Sequence, residues 1–275
     1  KPFIPCEGFE VVPLRVDHSA FDAMAYVIKA DGKKIFFTGD YREHGYTGFK
    51  IKKLFKMYVN NVDVIITEGT QVSRQSGNII TENKLQKEFT EICKKNKYVL
   101  YMGSSTNLDS IISLALAAKK TGKCFSYIDE YSEKMIETLA GFAKSDLYNE
   151  WKPMERDVAK GRVVICRMSN IAYIRKFFEK YGKDTILVYS MWSGYIEQEP
   201  KLQELQKNLG NKFIKLHSSG HASRELIQAV LAICGKAKVL PMHTESFAEF
   251  KKICRANRVV ELKAGEEYVV KQVDL

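Results

Sequence analysis

Residues 34–44 read K-I-F-F-T-G-D-Y-R-E-H, an apolar run of strand type that stops on Thr38-Gly39 and delivers a carboxylate, Asp40, at its end. The arrangement recurs along the chain. Residues 62–69, V-D-V-I-I-T-E-G, end on Glu68, and residues 238–245, K-V-L-P-M-H-T-E, carry His243 after the apolar stretch. V-D-H-S at 16–19 sets His18 behind the first strand-like run, and K-F-I-K-L-H-S-S-G-H-A at 212–222 sets His217 and His221 just before a helical pattern. The chain has five histidines, and the fifth, His44, follows Asp40 in the same loop. Taken singly, each of these is ordinary turn chemistry: Asp40 and Glu68 cap turns, His18 bonds its neighbour Asp17, and His243 is a satisfied imidazole. Their conjunction argues otherwise. Rigid strands that each end in an imidazole or carboxylate are how α/β proteins build a site, so the set points to a metal or phosphate centre. In the tract 217–221, two imidazoles, two hydroxyls and a glycine precede a helix N-terminus, which is a suitable cradle for an anion.

Working outward, short apolar runs rich in β-branched and aromatic residues predict strands at 9–16, 25–30, 34–38, 62–67, 98–103, 124–128, 162–166, 185–189, 212–216, 238–242, 258–262 and 268–271. Helical periodicity predicts helices at 81–96, 107–121, 132–144, 170–181, 196–208, 223–234 and 246–256. The alternation from about 82 to 209 reads as a mostly parallel, helix-covered sheet. The opening three strands, joined by short turns, read as antiparallel. The expected layout is therefore α/β, with a core made from both ends of the chain (1–72 and 210–275) and an inserted middle domain (73–209).

Composition narrows the classes of protein. With 275 residues, 45% of them hydrophobic and 28% charged, the chain is a globular protein rather than a disordered or collagen-like one. No apolar run nears the ~20 residues of a membrane span, and the first residues lack the pattern of a secretion signal. The expectation is no membrane association and a cytoplasmic location. The net charge of +10 favours anionic partners such as nucleic acid. Cys6, Cys93, Cys124, Cys166, Cys234 and Cys254 show no C-x-x-C spacing and are expected to be reduced and mostly buried.

The ordered set D-H-S, F-F-T-G-D-Y-R-E-H-G, T-E-G-T, H-S-S-G-H-A and P-M-H-T-E, spread over about 11–245, resembles the motifs of the β-CASP branch of the metallo-β-lactamase fold. This is the branch of ribonuclease J, the mRNA 3′-end cleavage endonuclease and Artemis-type nucleases. The resemblance implies part of an αββα metallo-β-lactamase core with an inserted β-CASP α/β cap, and zinc- or manganese-dependent hydrolysis of RNA or DNA. It gives His18 as a ligand of a first metal, Asp40 as the carboxylate bridging two divalent ions, and His243 as a ligand of the second. Glu68 with His221 then stands near the leaving oxygen, and His217, Ser218, Ser219 and Gly220 hold a substrate phosphate.

The chain departs from the family in one respect. The signature H-x-H-x-D-H, which supplies four metal ligands, does not occur in it. His18, Asp40 and His243 alone give each metal about two ligands, fewer than the three of an ordinary catalytic site. The expectation is that an N-terminal segment lies outside these 275 residues, which by themselves cleave nothing. The rival expectations are a nucleic-acid-binding pseudoenzyme and a hydrolase of a small anionic substrate, and a homo-oligomer is compatible with each. Trp192-Ser193-Gly194-Tyr195, behind a strand of the middle domain, offers either an aromatic for base stacking or a core tryptophan.

Overall fold

The computed structural model describes residues 1–74, 79–143, 152–153, 161–255 and 258–270. They form two compact units, Lys1–Ile79 with Gly220–Leu275, and Ile80–Ser219.

The chain opens with β1 (Phe9–Arg15), β2 (Met24–Ala30) and β3 (Lys33–Phe37), an antiparallel meander. Its tight turn is Asp31-Gly32, both at positive φ, the pair that a two-residue hairpin of right-handed twist requires. Next come α1 (Ile51–Tyr58) and β4 (Val64–Glu68), which runs parallel to β3. Parallel neighbours need a crossover, and α1 supplies it. Sequence periodicity did not predict α1, because two turns with four surrounding lysines leave only Ile51 and Phe55 buried.

The second unit carries α2 (Glu82–Lys95), β5 (Tyr98–Gly103), α3 (Leu108–Lys120), β6 (Cys124–Tyr127), α4 (Glu130–Ala143) and the two-residue β7 (Lys152–Pro153). It continues with β8 (Arg162–Cys166), α5 (Ile171–Tyr181), β9 (Thr185–Ser190), α6 (Gly194–Gln198), α7 (Pro200–Leu209) and β10 (Phe213–Lys215). The single helix expected at 196–208 is two, because Pro200 holds Glu199 extended (φ −110°, ψ 103°) and breaks the run. All strands here are parallel, in the order β10-β9-β5-β8-β6-β7. The strand at 213–215 therefore pairs in this sheet, although it follows position 209.

Alternation sorts each strand onto two cores. Val99, Tyr101, Val163 and Ile165 face Leu85, Phe89, Ile111 and Leu114 of α2 and α3. Leu100, Met102, Val164 and Leu187 face Ile174 and Phe177 of α5 and Leu202 and Leu205 of α7. Both faces of the sheet are thus covered, as an all-parallel sheet requires.

The chain then returns to the first unit through α8 (Arg224–Ile233), β11 (Lys238–Met242) and α9 (Phe247–Ile253). That sheet has the order β1-β2-β3-β4-β11, with β11 parallel to β4. One core joins the two ends of the chain: Leu14, Phe36, Phe55 and Ile65 pack with Leu226, Ile227, Val230 and Val239. Of the strand expected at 258–262, the described residues show only a single bridge from Val259 to Val239. The expected strand at 268–271 is absent over 268–270, and its last residue lies outside the described residues. All six cysteines are free, but only Cys93, Cys166 and Cys234 are buried; Cys6 and Cys124 are exposed, so the expectation of mostly buried thiols holds for half of them. Among the described residues no helix is long and apolar enough to cross a membrane.

Candidate functional site

In the first unit β1, β3, β4 and β11 all run in one direction, so their carboxyl ends share one edge of the sheet. That edge collects His18 after β1, Asp40 after β3, Glu68 at the end of β4 and His243 after β11. His221 arrives from the turn before α8, whose first N–H groups are capped by Ser223, with its hydroxyl accepting from Leu226 N at 3.0 Å. Four residues distant in sequence thus converge because the sheet aligns their strand ends, and the turn before α8 adds the fifth.

Glu68 is fully buried. One oxygen accepts from Tyr41 N at 3.2 Å and Ala222 N at 3.0 Å, and the other faces His221 Nδ1 at 2.9 Å. An ionised carboxylate only accepts, so His221 carries a proton on Nδ1 and turns Nε2 away from Glu68. Asp40 Oδ1 lies 2.9 Å from His243 Nδ1 and 3.9 Å from His221 Nδ1. The His18 and His221 rings meet edge to face, with centroids 5.8 Å apart. His18 Nδ1 accepts from Ala20 N at 3.0 Å, so the neutral ring has its proton on Nε2. A ligand role at Nε2 would move that proton and give up the Ala20 bond.

Backbone shape aims these groups. Gly39 has φ +54° and a Cβ there would sit 2.9 Å from Met24 O, so the turn into Asp40 needs glycine. At Gly220 a Cβ would sit 2.5 Å from Ser19 Oγ and 2.9 Å from His18 Nε2, which explains the glycine of S-G-H-A. His243 holds φ +47°, an unfavourable conformation for a non-glycine residue that recurs at functional sites.

Sequence reasoning missed what fixes the loops. Asp17 Oδ1 accepts from Arg42 Nε at 2.8 Å with the side chains 2% and 0% exposed, and Asp17 Oδ2 takes Thr47 N at 2.7 Å and Thr47 Oγ1 at 2.8 Å. This pair ties the loop of His18 to the loop of Asp40. Breaking such a buried pair costs about 3–5 kcal/mol, since the remaining charge stays desolvated. The available signal was adjacency alone: Asp17 precedes His18 and Arg42 follows Asp40 by two. His44 is buried beside Glu43, its Nδ1 3.8 Å from Glu43 Oε2, and Glu43 in turn accepts from the Ser223 hydroxyl. Glu43 thus braces the turn before α8, and His44 is not part of the group of donors around Asp40.

Charge sets the two central imidazoles apart. Burial lowers the pKa of His221, but its hydrogen bond to Glu68 and the charges of Glu68 and Asp40 outweigh that, and the net is above the ordinary value. For His18 burial dominates, against the attraction of Asp40, and the net is below the ordinary value.

Ligand atoms of His18, Asp40 and His221 all lie within 4.8 Å of one another, and this is the one group of three such donors among the described residues. Two imidazoles and a carboxylate suit zinc or manganese. The donors therefore fit one divalent ion. For the second of the two expected ions, the described residues supply Asp40 and His243 only. The expected phosphate tract divides between the units: His217, Ser218 and Ser219 belong to Ile80–Ser219 and Gly220 to the other. Ser218 is fully buried and its hydroxyl donates to Ile80 O at 2.8 Å, so it is committed to the fold.

The comparisons with known proteins agree with this class of architecture. No family model matches the chain. Ribonuclease J of Mycoplasma genitalium is 24% identical over 265 residues, covering 86% of this chain and 46% of that protein. The chain thus spans about half the length of the curated relative it matches. A crystal structure of a protein of unknown function from Enterococcus faecalis V583 superposes with a TM-score of 0.71 at 18% identity, covering 97% of this chain and 65% of that one. The chain is an α/β protein with two sheets, one mixed and one parallel, and is distantly similar to ribonuclease J.

Proposed function

We propose that the chain is part of a metal-dependent phosphodiester hydrolase of RNA or DNA, with the first unit as a portion of a metallo-β-lactamase core and Ile80–Ser219 as an inserted β-CASP domain. The observation that carries this reading is the convergence of His18, Asp40, His221 and His243 on one sheet edge with the buried Glu68 behind His221. The distant likeness to ribonuclease J supports it.

A bound divalent ion would supply a water activated at neutral pH and charge to stabilise the oxygens of an in-line displacement. The chain's own part centres on His221. With Nε2 unprotonated, it completes a set of three donors with His18 and Asp40. With Nε2 protonated, it would deliver a proton to a departing oxygen while Glu68 stabilises the imidazolium, and His243, 2.9 Å from Asp40, would serve the second ion. We adopt the second disposition, because the buried Glu68 carboxylate 2.9 Å from His221 Nδ1 is placed to stabilise the imidazolium. Asp40 is shared by both arrangements.

The test uses the full-length parent protein loaded with zinc or manganese and end-labelled RNA and DNA oligonucleotides. Asp40→Ala abolishes cleavage and metal retention. His243→Ala loses metal, whereas His221→Ala keeps it and loses turnover by roughly 10²–10⁴-fold, the usual worth of a positioned acid. A metal-loaded parent indifferent to Asp40→Ala overturns the proposal.

A further inference from the structure

The parallel sheet of the second unit has its own carboxyl edge. Gly103, Cys166, Ser190 and Lys215 end β5, β8, β9 and β10 there, and β9 follows β8 by crossing to the far side of β5. Crevices at such a reversal of strand order are where open α/β sheets bind ligands. The turn after β9 holds Trp192 and the first turn of α6 holds Tyr195; they are 42% and 46% exposed, with ring centroids 5.4 Å apart at 84°. Two large aromatics left in water at a sheet edge are not core residues.

The pair is held in place. A Cβ at Gly194 would come within 2.3 Å of the outer edge of the Trp192 ring, so the indole packs against the start of α6 where glycine leaves room for it. The Tyr189 hydroxyl donates to Trp192 O at 3.1 Å and fixes the loop from beneath. An exposed indole that packs on its own helix gives contact area at modest entropic cost. The same sheet edge carries other aromatic and charged groups. After β8, Arg167 stacks over Tyr131 at 4.4 Å and lies 3.7 Å from Asp129, a second aromatic and cationic platform on the same edge. On the other side, Leu216 N donates to Tyr189 O at 3.0 Å, so the segment that carries His217 and Ser219 leaves β10 one strand, about 4.8 Å, from the segment that carries Trp192. Flat apolar faces, flanking hydroxyls and imidazole, and a net charge of +10 on the chain complement a polymer of stacked bases and phosphates.

We propose that Trp192 and Tyr195 form a base-stacking subsite for single-stranded nucleic acid on this edge. The inference rests on the nucleic-acid reading above, but not on catalysis. Stacking is blind to sequence, so the subsite takes purine and pyrimidine strands alike and discriminates against a duplex, whose bases are covered.

The test uses the whole chain with EDTA, fluorescein-labelled oligouridylate and oligodeoxythymidylate, a duplex of equal length, and inorganic polyphosphate. In a Trp151→Phe background Trp192 is the sole tryptophan, so its fluorescence reports the site. Single strands quench it and polyphosphate does not. Trp192→Ala weakens single-strand binding by roughly tenfold, Trp192→Phe restores most of it, and Tyr195→Ala weakens it less, near the low end of what one stacked base is worth. Circular dichroism shows that each variant is folded. Equal affinity in folded Trp192→Ala, equal quenching by polyphosphate, no binding of single strands at low salt, or self-association that Trp192→Ala abolishes each overturns the subsite. Asp40-dependent cutting by a parent indifferent to Trp192 sinks this inference alone. Trp192-dependent binding without cutting sinks only the nuclease.

Discussion

The Glu68 carboxylate does three things with two oxygens: it takes the Tyr41 and Ala222 N–H groups on one and holds His221 on the other. Glu68→Gln keeps one oxygen for the two backbone donors but presents an amide to the imidazole, so the fold survives while the charge is lost. In the metal-free chain, NMR titration places His221 above 6.5 and His18 below it, and Glu68→Gln brings His221 down. The linkage follows in sign. His221 is raised on folding, so its stabilisation is fully present below the unfolded value near 6.5 and is lost as pH rises through the folded value. His18 is depressed, so it opposes folding as pH falls below 6.5. If His221 titrates below His18, or is unmoved in Glu68→Gln, the electrostatic account of this pair is wrong.

At the level of elements, the strand ends were legible because each ended in a charged or imidazole side chain after an apolar run, and the turn glycines marked the stops. What stayed hidden depended on contacts across sequence. Buried Arg42 reads as a surface arginine until Asp17 is seen beside it, and α1 is too short and too lysine-rich to declare its apolar face. Pro200 was visible, yet the apolar positions on both sides continued a helical pattern that its ring interrupts. The turn before α8 shows how little of such support is local. Ser223 caps the helix through Leu226 N and also donates to Glu43, which lies beside His44. Ser223→Ala removes both bonds and costs about 1–2 kcal/mol, the upper part of the range for a cap, measured by urea denaturation. Ser223→Thr, which keeps the hydroxyl, recovers most of that; equal loss in both variants means that packing, not the cap, holds the turn.

For the whole molecule, the two units differ in continuity. Ile80–Ser219 is one stretch of chain whose sheet is closed on both faces by its own helices, with two cores whose described residues all fall within it. The other unit is assembled from both ends: β11 pairs with β4, α1 packs against α8, and Leu226, Ile227, Val230 and Val239 complete the core begun by Leu14, Phe36, Phe55 and Ile65. Residues 1–79 alone leave one edge of β4 unpaired and remove Leu226, Ile227, Val230 and Val239 from the core that α1 shares with α8, a loss that a domain stable by only about 5–15 kcal/mol cannot absorb. The expected outcome is that residues 80–219 expressed by themselves unfold cooperatively in urea, while residues 1–79 show no cooperative transition. A fragment ending at 209 lacks β10 and loses Phe213 and Leu216 from the two cores, so its midpoint falls below that of 80–219. Cooperative unfolding of residues 1–79, or a fragment to 209 as stable as the one to 219, would show that the units are joined differently from this description.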